Sequence, residues 1–171
     1  MGYVPALAVD GVIITEVPAI LSYISSRAPQ ARLFGPDSLS HSRVVEWLSY
    51  LSGTVHGRGF GLLFRPGRFS DDEGDYDKLR AKGREFVGSC FGSIDGRLKG
   101  KKFAVGEELT VVDFYLYIFA RWGKEVGFVM GEFPAYDAHA SRMEGVEGVR
   151  KAIEEQGLRF NFIRSESGGA L

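Results

Sequence analysis

Cysteine is nearly absent: Cys90 stands alone among 171 residues. That excludes an internal disulfide framework and a zinc site built from cysteines, and it suits a reducing, cytoplasmic setting. Charge of neither sign dominates, with 21 Lys+Arg against 22 Asp+Glu and a formal net charge of -1. The chain therefore lacks the basic footprint expected of a partner for nucleic acid or an anionic membrane. No apolar run reaches the roughly 18 uncharged residues that a membrane helix needs. The opening MGYVPALAVDGVIITEV has no basic n-region and is interrupted by Asp10, so it does not read as a signal peptide. Met1-Gly2 begins like a myristoylation site, but Ala6 occupies the position where Ser or Thr is required. Only three histidines are present, and neither His41 nor His139 has an acidic or cysteine neighbour at metal-ligand spacing, so no metal is expected.

Apolar residues are plentiful: 44% of the chain is hydrophobic and 13% aromatic, enough for a sizeable core. The length fits one ordinary domain with room for a small second unit. Ala6 to Val9 and Val12 to Thr15 are short apolar runs separated by Asp10-Gly11, the dipeptide of a type I′ turn, which predicts a β-hairpin. Pro18 then suits the first turn of a helix, and Ala19, Ile20, Tyr23 and Ile24 recur at helical spacing until Pro29. A breaker-rich stretch, RAPQARLFGPDSL, marks a unit boundary near residue 36, so the expected units are 1-36 and 37-171.

Beyond that boundary the pattern is helical. Val44, Leu48, Leu51 and Val55 form one apolar stripe, and Leu79, Val87, Cys90, Ile94 and Leu98 form another. Gly53 in the first helix and Gly83, Gly88, Gly92 and Gly96 in the second predict close helix packing, since glycine costs about 0.5 to 1 kcal/mol in a helix interior. In LTVVDF, Thr110 can cap a helix, Asp113 can reach back to the cap N-H, and Leu109 and Phe114 can staple it. The following FYLYIFARW is apolar on every side, which predicts a central, buried helix. Pro134 to Met143 and Val146 to Gln156 read as two shorter helices, and the tail SESGGAL as a frayed end.

Taken in order, Gly2-Tyr3-Val4-Pro5-Ala6-Leu7, Asp10-Gly11, Ile14-Thr15-Glu16-Val17-Pro18-Ala19-Ile20 and the later Leu109-Thr110-Val111-Val112-Asp113 resemble the glutathione transferase family. The resemblance covers nearly the whole chain and implies an α+β, mostly α fold: a partial thioredoxin-like unit, hairpin plus helix, followed by an all-helical C-terminal domain. It implies a transferase with glutathione as co-substrate, which promotes thiolate attack on a small electrophile in detoxifying conjugation and works as a homodimer. Val4, Pro5, Glu16 and Val17 would hold glutathione. A cis Val4-Pro5 bond would present the N-H and C=O of Val4 to a peptide-like ligand as an added strand. Glu16, at a helix start, would take the ammonium of the γ-glutamyl group while free N-H groups take its carboxylate. Position 17 departs from the family, carrying Val where a hydroxyl residue or Gly is common, so one side-chain hydrogen bond is lost.

His56 resembles the histidine that faces the thiol in the bacterial, cysteine-using branch, and is the catalytic candidate. Phe60, Phe64, Tyr115, Phe119 and Trp122 are candidates for the electrophile pocket, although core packing would explain the same aromatics. Family members carry a strand-helix-strand before the cis-proline, with the thiolate-stabilising Tyr, Ser or Cys near the end of its first strand. Met1 falls after that point in the resemblance, so no residue is assigned the role, and an inactive, glutathione-transferase-like binding or dimerisation module is the alternative. Gly57-x-Gly59-x-Gly61 with Arg58, Arg65 and Arg68 is a poor phosphate loop because it lies in a helical pattern with Leu62 in sixth place. Asp71-Asp72-Glu73 with Asp75 reads as a solvated helix start, and Cys90, on an apolar stripe, as an inert buried thiol.

Overall fold

The computed structural model describes residues 4–163. The predictions for Met1 to Tyr3 and for the SESGGAL tail lie outside those residues. The hairpin forms as the turn chemistry requires. Strands β1 (Ala6–Val9) and β2 (Val12–Thr15) pair antiparallel with Val9 opposite Val12 and Ala6 opposite Thr15. Asp10 and Gly11 between them take φ of 47° and 81°, the two positive values of a type I′ turn. The Val4-Pro5 bond is cis.

Helix α1 (Val17–Ser26) follows at once, with Pro18 in its first turn. Its inward face differs from the expected one. Ile20 is buried and Val17 and Leu21 pack against the core, whereas Ala19 is exposed and Ile24 is 47% exposed. The reason is geometric: α1 meets chiefly β2, α2 and the Pro29–Ala31 turn, so a narrower stripe suffices. The segment after α1 is tied down where Leu33 C=O accepts the N-H of Val111, 3.0 Å away.

Helix α2 (Ser38–Ser49) starts on Asp37, whose carboxylate accepts the Ser40 N-H at 2.8 Å. It runs without a break into eleven residues of wider, π-helical turns, Tyr50–Phe60, and then into α3 (Gly61–Phe64). Nothing in the apolar spacing distinguished those wider turns from α-helix. α4 (Tyr76–Leu98), α5 (Val111–Glu125), α6 (Pro134–Glu144) and α7 (Glu147–Glu155) complete the helical layer. α5 lies between α2 and α6, and most of its residues are buried, as its all-round apolar character requires. The acidic run before α4 is solvated, with Asp72 accepting the Gly74 N-H and Asp75 the Ser70 hydroxyl.

The glycines divide into two groups. A Cβ on Gly83 would stand 2.7 Å from that of Leu62 and 3.2 Å from the Gly59 carbonyl, and one on Gly59 would stand 2.9 Å from Val87. Here α4 crosses the π-helical stretch and α3 at a distance that only glycine permits. Gly53, Gly92 and Gly96, expected to serve the same purpose, face open space instead.

Two buried polar knots pin the helices. Asp113 accepts the N-H and hydroxyl of Thr110 (2.8 and 3.0 Å), the Ala104 N-H (2.8 Å) and Nε2 of His139 (2.9 Å). Glu144, fully buried, accepts from the Tyr117 hydroxyl at 2.9 Å and from the N-H groups of Asn161, Phe162 and Ile163 at 2.7 to 2.8 Å. Arg121 donates both to Tyr117 Oη and to the Arg159 carbonyl, and Lys124 to the Asn161 carbonyl. The segment after α7 is thereby strapped along α5 and α6.

The hairpin is the only sheet among the described residues, so both of its outer edges are unpaired. Val12 and Ile13 are more than 60% exposed. Unpaired apolar edges recruit other chains. The 171-residue chain is expected to self-associate, with a scattering mass that rises across the micromolar range; a constant monomer mass would contradict this. No described helix is long and apolar enough to cross a membrane.

Candidate functional site

The site lies where the start of α1 faces the middle of the α2–π–α3 helix and α5. Glu16 caps α1 with φ 67° and ψ 120°. A non-glycine residue in that region costs about 1 to 3 kcal/mol and is retained where the surroundings hold it in place. Its carbonyl accepts the Ile20 N-H at 3.0 Å, and its side chain is exposed with no hydrogen bond recorded to the described residues. Val17, the next residue, turns its side chain into the core, leaving its backbone N-H in the free first turn. Val4 is 92% exposed beside the free edge of β1.

His56, Phe60 and Phe64 follow one another at four-residue intervals and meet α5 in one aromatic cluster. The His56 ring centroid is 5.4 Å from Trp122 and 6.0 Å from Phe119. Phe60 stacks on Phe119 at 5.7 Å and meets Trp122 edge-on at 5.4 Å. Phe64 meets Trp122 at 5.8 Å and Tyr115 meets Phe119 at 4.7 Å. The five aromatics named from the sequence are thus brought together, but in two layers. Phe60, Phe119 and Tyr115 are buried and form the floor, while Phe64 and Trp122 offer accessible faces beside a partly exposed His56.

The electrostatics tie the two sides together. Burial lowers the His56 pKa below the ordinary imidazole value; the charges of Arg68 and Arg65 lower it further, and Glu16 opposes them. A neutral imidazole at pH 7 follows. Burial pushes the Tyr115 pKa up to about 12, and the negative charge of Glu16 adds to the rise. Its hydroxyl is buried and meets no hydrogen-bond partner among the described residues, while the nearby Ser52 side chain opposes the rise. Glu16 therefore stands near both His56 and Tyr115, although 40 and 99 residues separate them in sequence.

Sequence reasoning missed the orphaned hydroxyl of Tyr115 and the influence of Arg65 and Arg68 on His56. The Arg65-Pro66-Gly67-Arg68 run just past Phe64 was the available signal. The thiol of Cys90 is no part of this site. It is buried in the core, and burial raises its pKa. His139, without an acidic neighbour at metal-ligand spacing in sequence, meets Asp113 across two helices in a structural contact.

The family described as "Glutathione S-transferase, C-terminal domain" matches residues 56–147, over half of the chain and including His56 and the α5 aromatics. The chain belongs to the glutathione transferase family. Its resemblance to a bacterial relative, Glutathione S-transferase GstA of Escherichia coli O157:H7, is 29% identity over 160 residues, covering 92% of this chain and 76% of the relative. Among solved structures, the bacterial beta class glutathione S-transferase of Sphingomonas chungbukensis aligns with a TM-score of 0.79 and 32% identity over 92% of this chain and 76% of that one. A sphingomonad glutathione S-transferase complexed with glutathione aligns with a TM-score of 0.80 at the same identity and coverage. By these resemblances the chain is a glutathione transferase with the family's mostly helical fold.

Proposed function

We propose that the chain binds glutathione along the free edge of β1 and the start of α1, and promotes attack of its thiolate on a small electrophile held by Phe64 and Trp122. The observation that carries this reading is Glu16: an acid in a left-handed conformation at the mouth of a helix, close enough to His56 and Tyr115 for its charge to be felt by both. Val4 offers its N-H and C=O to the peptide backbone, and the cis Val4-Pro5 bond is the geometry that role needs. The first-turn N-H groups of α1, Val17 among them, take the γ-glutamyl carboxylate, and Glu16 takes the ammonium. On this reading residues 1-36 serve as the thioredoxin-like part and 37-171 as the helical part.

His56 is neutral and accepts the thiol proton. The thiolate sulfur then bonds to the electrophilic carbon, the leaving group departs with the bonding pair, and the proton passes to solvent. Phe60, Tyr115 and Phe119 support the pocket floor, with the Tyr115 hydroxyl kept protonated as a donor. Glu16→Gln is expected to weaken glutathione binding by about 1.5 to 3 kcal/mol, the range for a hydrogen bond to a charged group, or roughly 10- to 150-fold. Calorimetric titration of parent and variant checks this, and equal affinities would remove Glu16 from the site.

A second reading, a dimerising module without catalysis, is favoured by the open positions at Gly53, Gly92 and Gly96 and by the exposed apolar Val45. A homodimer is compatible with both readings. Turnover of glutathione with 1-chloro-2,4-dinitrobenzene separates them.

A further inference from the structure

Away from the aromatic site, α2, the C-terminal end of α4 and the loop that follows line an open pocket of about 340 Å³. Its character is set by charge. Of the four cations in Arg97-Leu98-Lys99-Gly100-Lys101-Lys102, Arg97 and Lys101 line the pocket, and Arg43 joins them from α2. Within the cavity wall the guanidinium of Arg97 lies 3.4 Å over the ring of Trp47 and donates to Glu46 Oε1 at 3.2 Å. The other oxygen of Glu46 accepts from Arg43 at 2.6 Å. One carboxylate thus holds two guanidiniums on its two sides, each spending one recorded donor of five. Lys101 also lines the cavity, and no ion pair is recorded for it among the described residues.

A purely structural network would match cations to acids. Here three cations face one. Arg97 is also partly stripped of water, since burial lowers its pKa despite the attraction of Glu46, and a desolvated guanidinium gains most from an added anion. Gly106, at φ 63° with nothing near its missing Cβ, leaves the rim open.

We propose that this cavity binds a phosphate monoester of small-metabolite size, separately from the transferase site. Arg43 and Arg97 present planar forks matched to two phosphate oxygens, and Lys101 supplies a point charge to the third. The cavity lies in the size range of small-molecule sites, which leaves space for an organic group beside the phosphate.

The chain has two tryptophans, so the Trp122→Phe variant leaves Trp47, beneath Arg97, as the sole fluorescent reporter. Ribose 5-phosphate, inorganic phosphate and ribose are titrated into the 171-residue chain at constant ionic strength. The expected result is a saturable change with ribose 5-phosphate, weaker affinity for inorganic phosphate and no response to ribose. Lys101→Gln and Arg97→Gln are each expected to weaken binding about tenfold, and Lys101, on an exposed loop, can be replaced without disturbing the core. A linear response, an unchanged affinity in Lys101→Gln, or binding to phosphatidic acid vesicles without binding to ribose 5-phosphate would each overturn the proposal.

Discussion

Asp113→Ala is expected to destabilise the protein by about 4 kcal/mol, the largest effect of any single substitution considered. Four donors converge on this one carboxylate: the N-H and hydroxyl of Thr110, the Ala104 N-H and Nε2 of His139. Asp113 and His139 are almost fully buried, so water cannot replace the acceptor. An unmet buried donor costs about 1 to 3 kcal/mol, and the Thr110 hydroxyl alone is free to rotate elsewhere. Losing the cap of α5 adds about 1 kcal/mol. Against a total stability of roughly 5 to 15 kcal/mol, such a loss leaves the fold marginal. Urea unfolding of parent and variant measures it, and a loss under about 1 kcal/mol would show that the knot contributes little. The His139→Ala change should be strongly non-additive with Asp113→Ala, because Asp113 is the recorded partner of that ring and Nδ1 has none among the described residues.

His56→Ala is expected to lower kcat for glutathione conjugation about 100-fold while changing KM less. General-base help is typically worth about 10² to 10⁴, and the loss falls mainly on the transition state. The pH dependence carries the sign. The imidazole acts as a base when neutral, and burial with Arg68 and Arg65 lowers its pKa below the usual value of about 6.5. Activity should therefore fall only as pH drops through that lowered pKa. Arg65→Gln removes one of the opposing charges, so it should raise the His56 pKa and move the acid limb to higher pH. A kcat unaffected by His56→Ala would assign the histidine a structural role.

Much of this architecture was legible because local chemistry and tertiary structure agree. Asp10-Gly11 dictates its turn, Thr110 with Asp113 starts α5, and the all-round apolar FYLYIFARW lies in the middle of the helical layer. The features that escaped depend on geometry that residue types do not encode. The π-helical turns from Tyr50 to Phe60 keep the same apolar spacing as an α-helix, so their hydrogen bonds are invisible in the pattern. Glu16 adopts a positive φ that sequence rules reserve for Gly, Asn and Asp. The Glu144 knot joins residues 17 to 27 positions apart and straps the segment after α7 in place, which no spacing rule signals. Gly53, Gly92 and Gly96 show the converse error, since glycine marks a possible close approach and not which neighbour makes it.

Of the candidate site, the aromatic neighbourhood was legible in the residues and its arrangement was not. His56 and the aromatics at 60, 64, 115, 119 and 122 do meet. Their division into a buried floor and an accessible rim follows from the crossing of α5 with the α2–π–α3 helix, which no spacing rule supplies.

The place where glutathione binds separates the readings most directly. Backbone amide and indole shifts recorded during a glutathione titration locate it residue by residue. Saturable shifts are predicted at the amides of Val4, Glu16 and Val17 and at the indole of Trp122, with the indole of Trp47 unmoved. Saturable shifts confined to the Trp47 and Arg97 cavity, or no saturable shifts at all, would contradict the account.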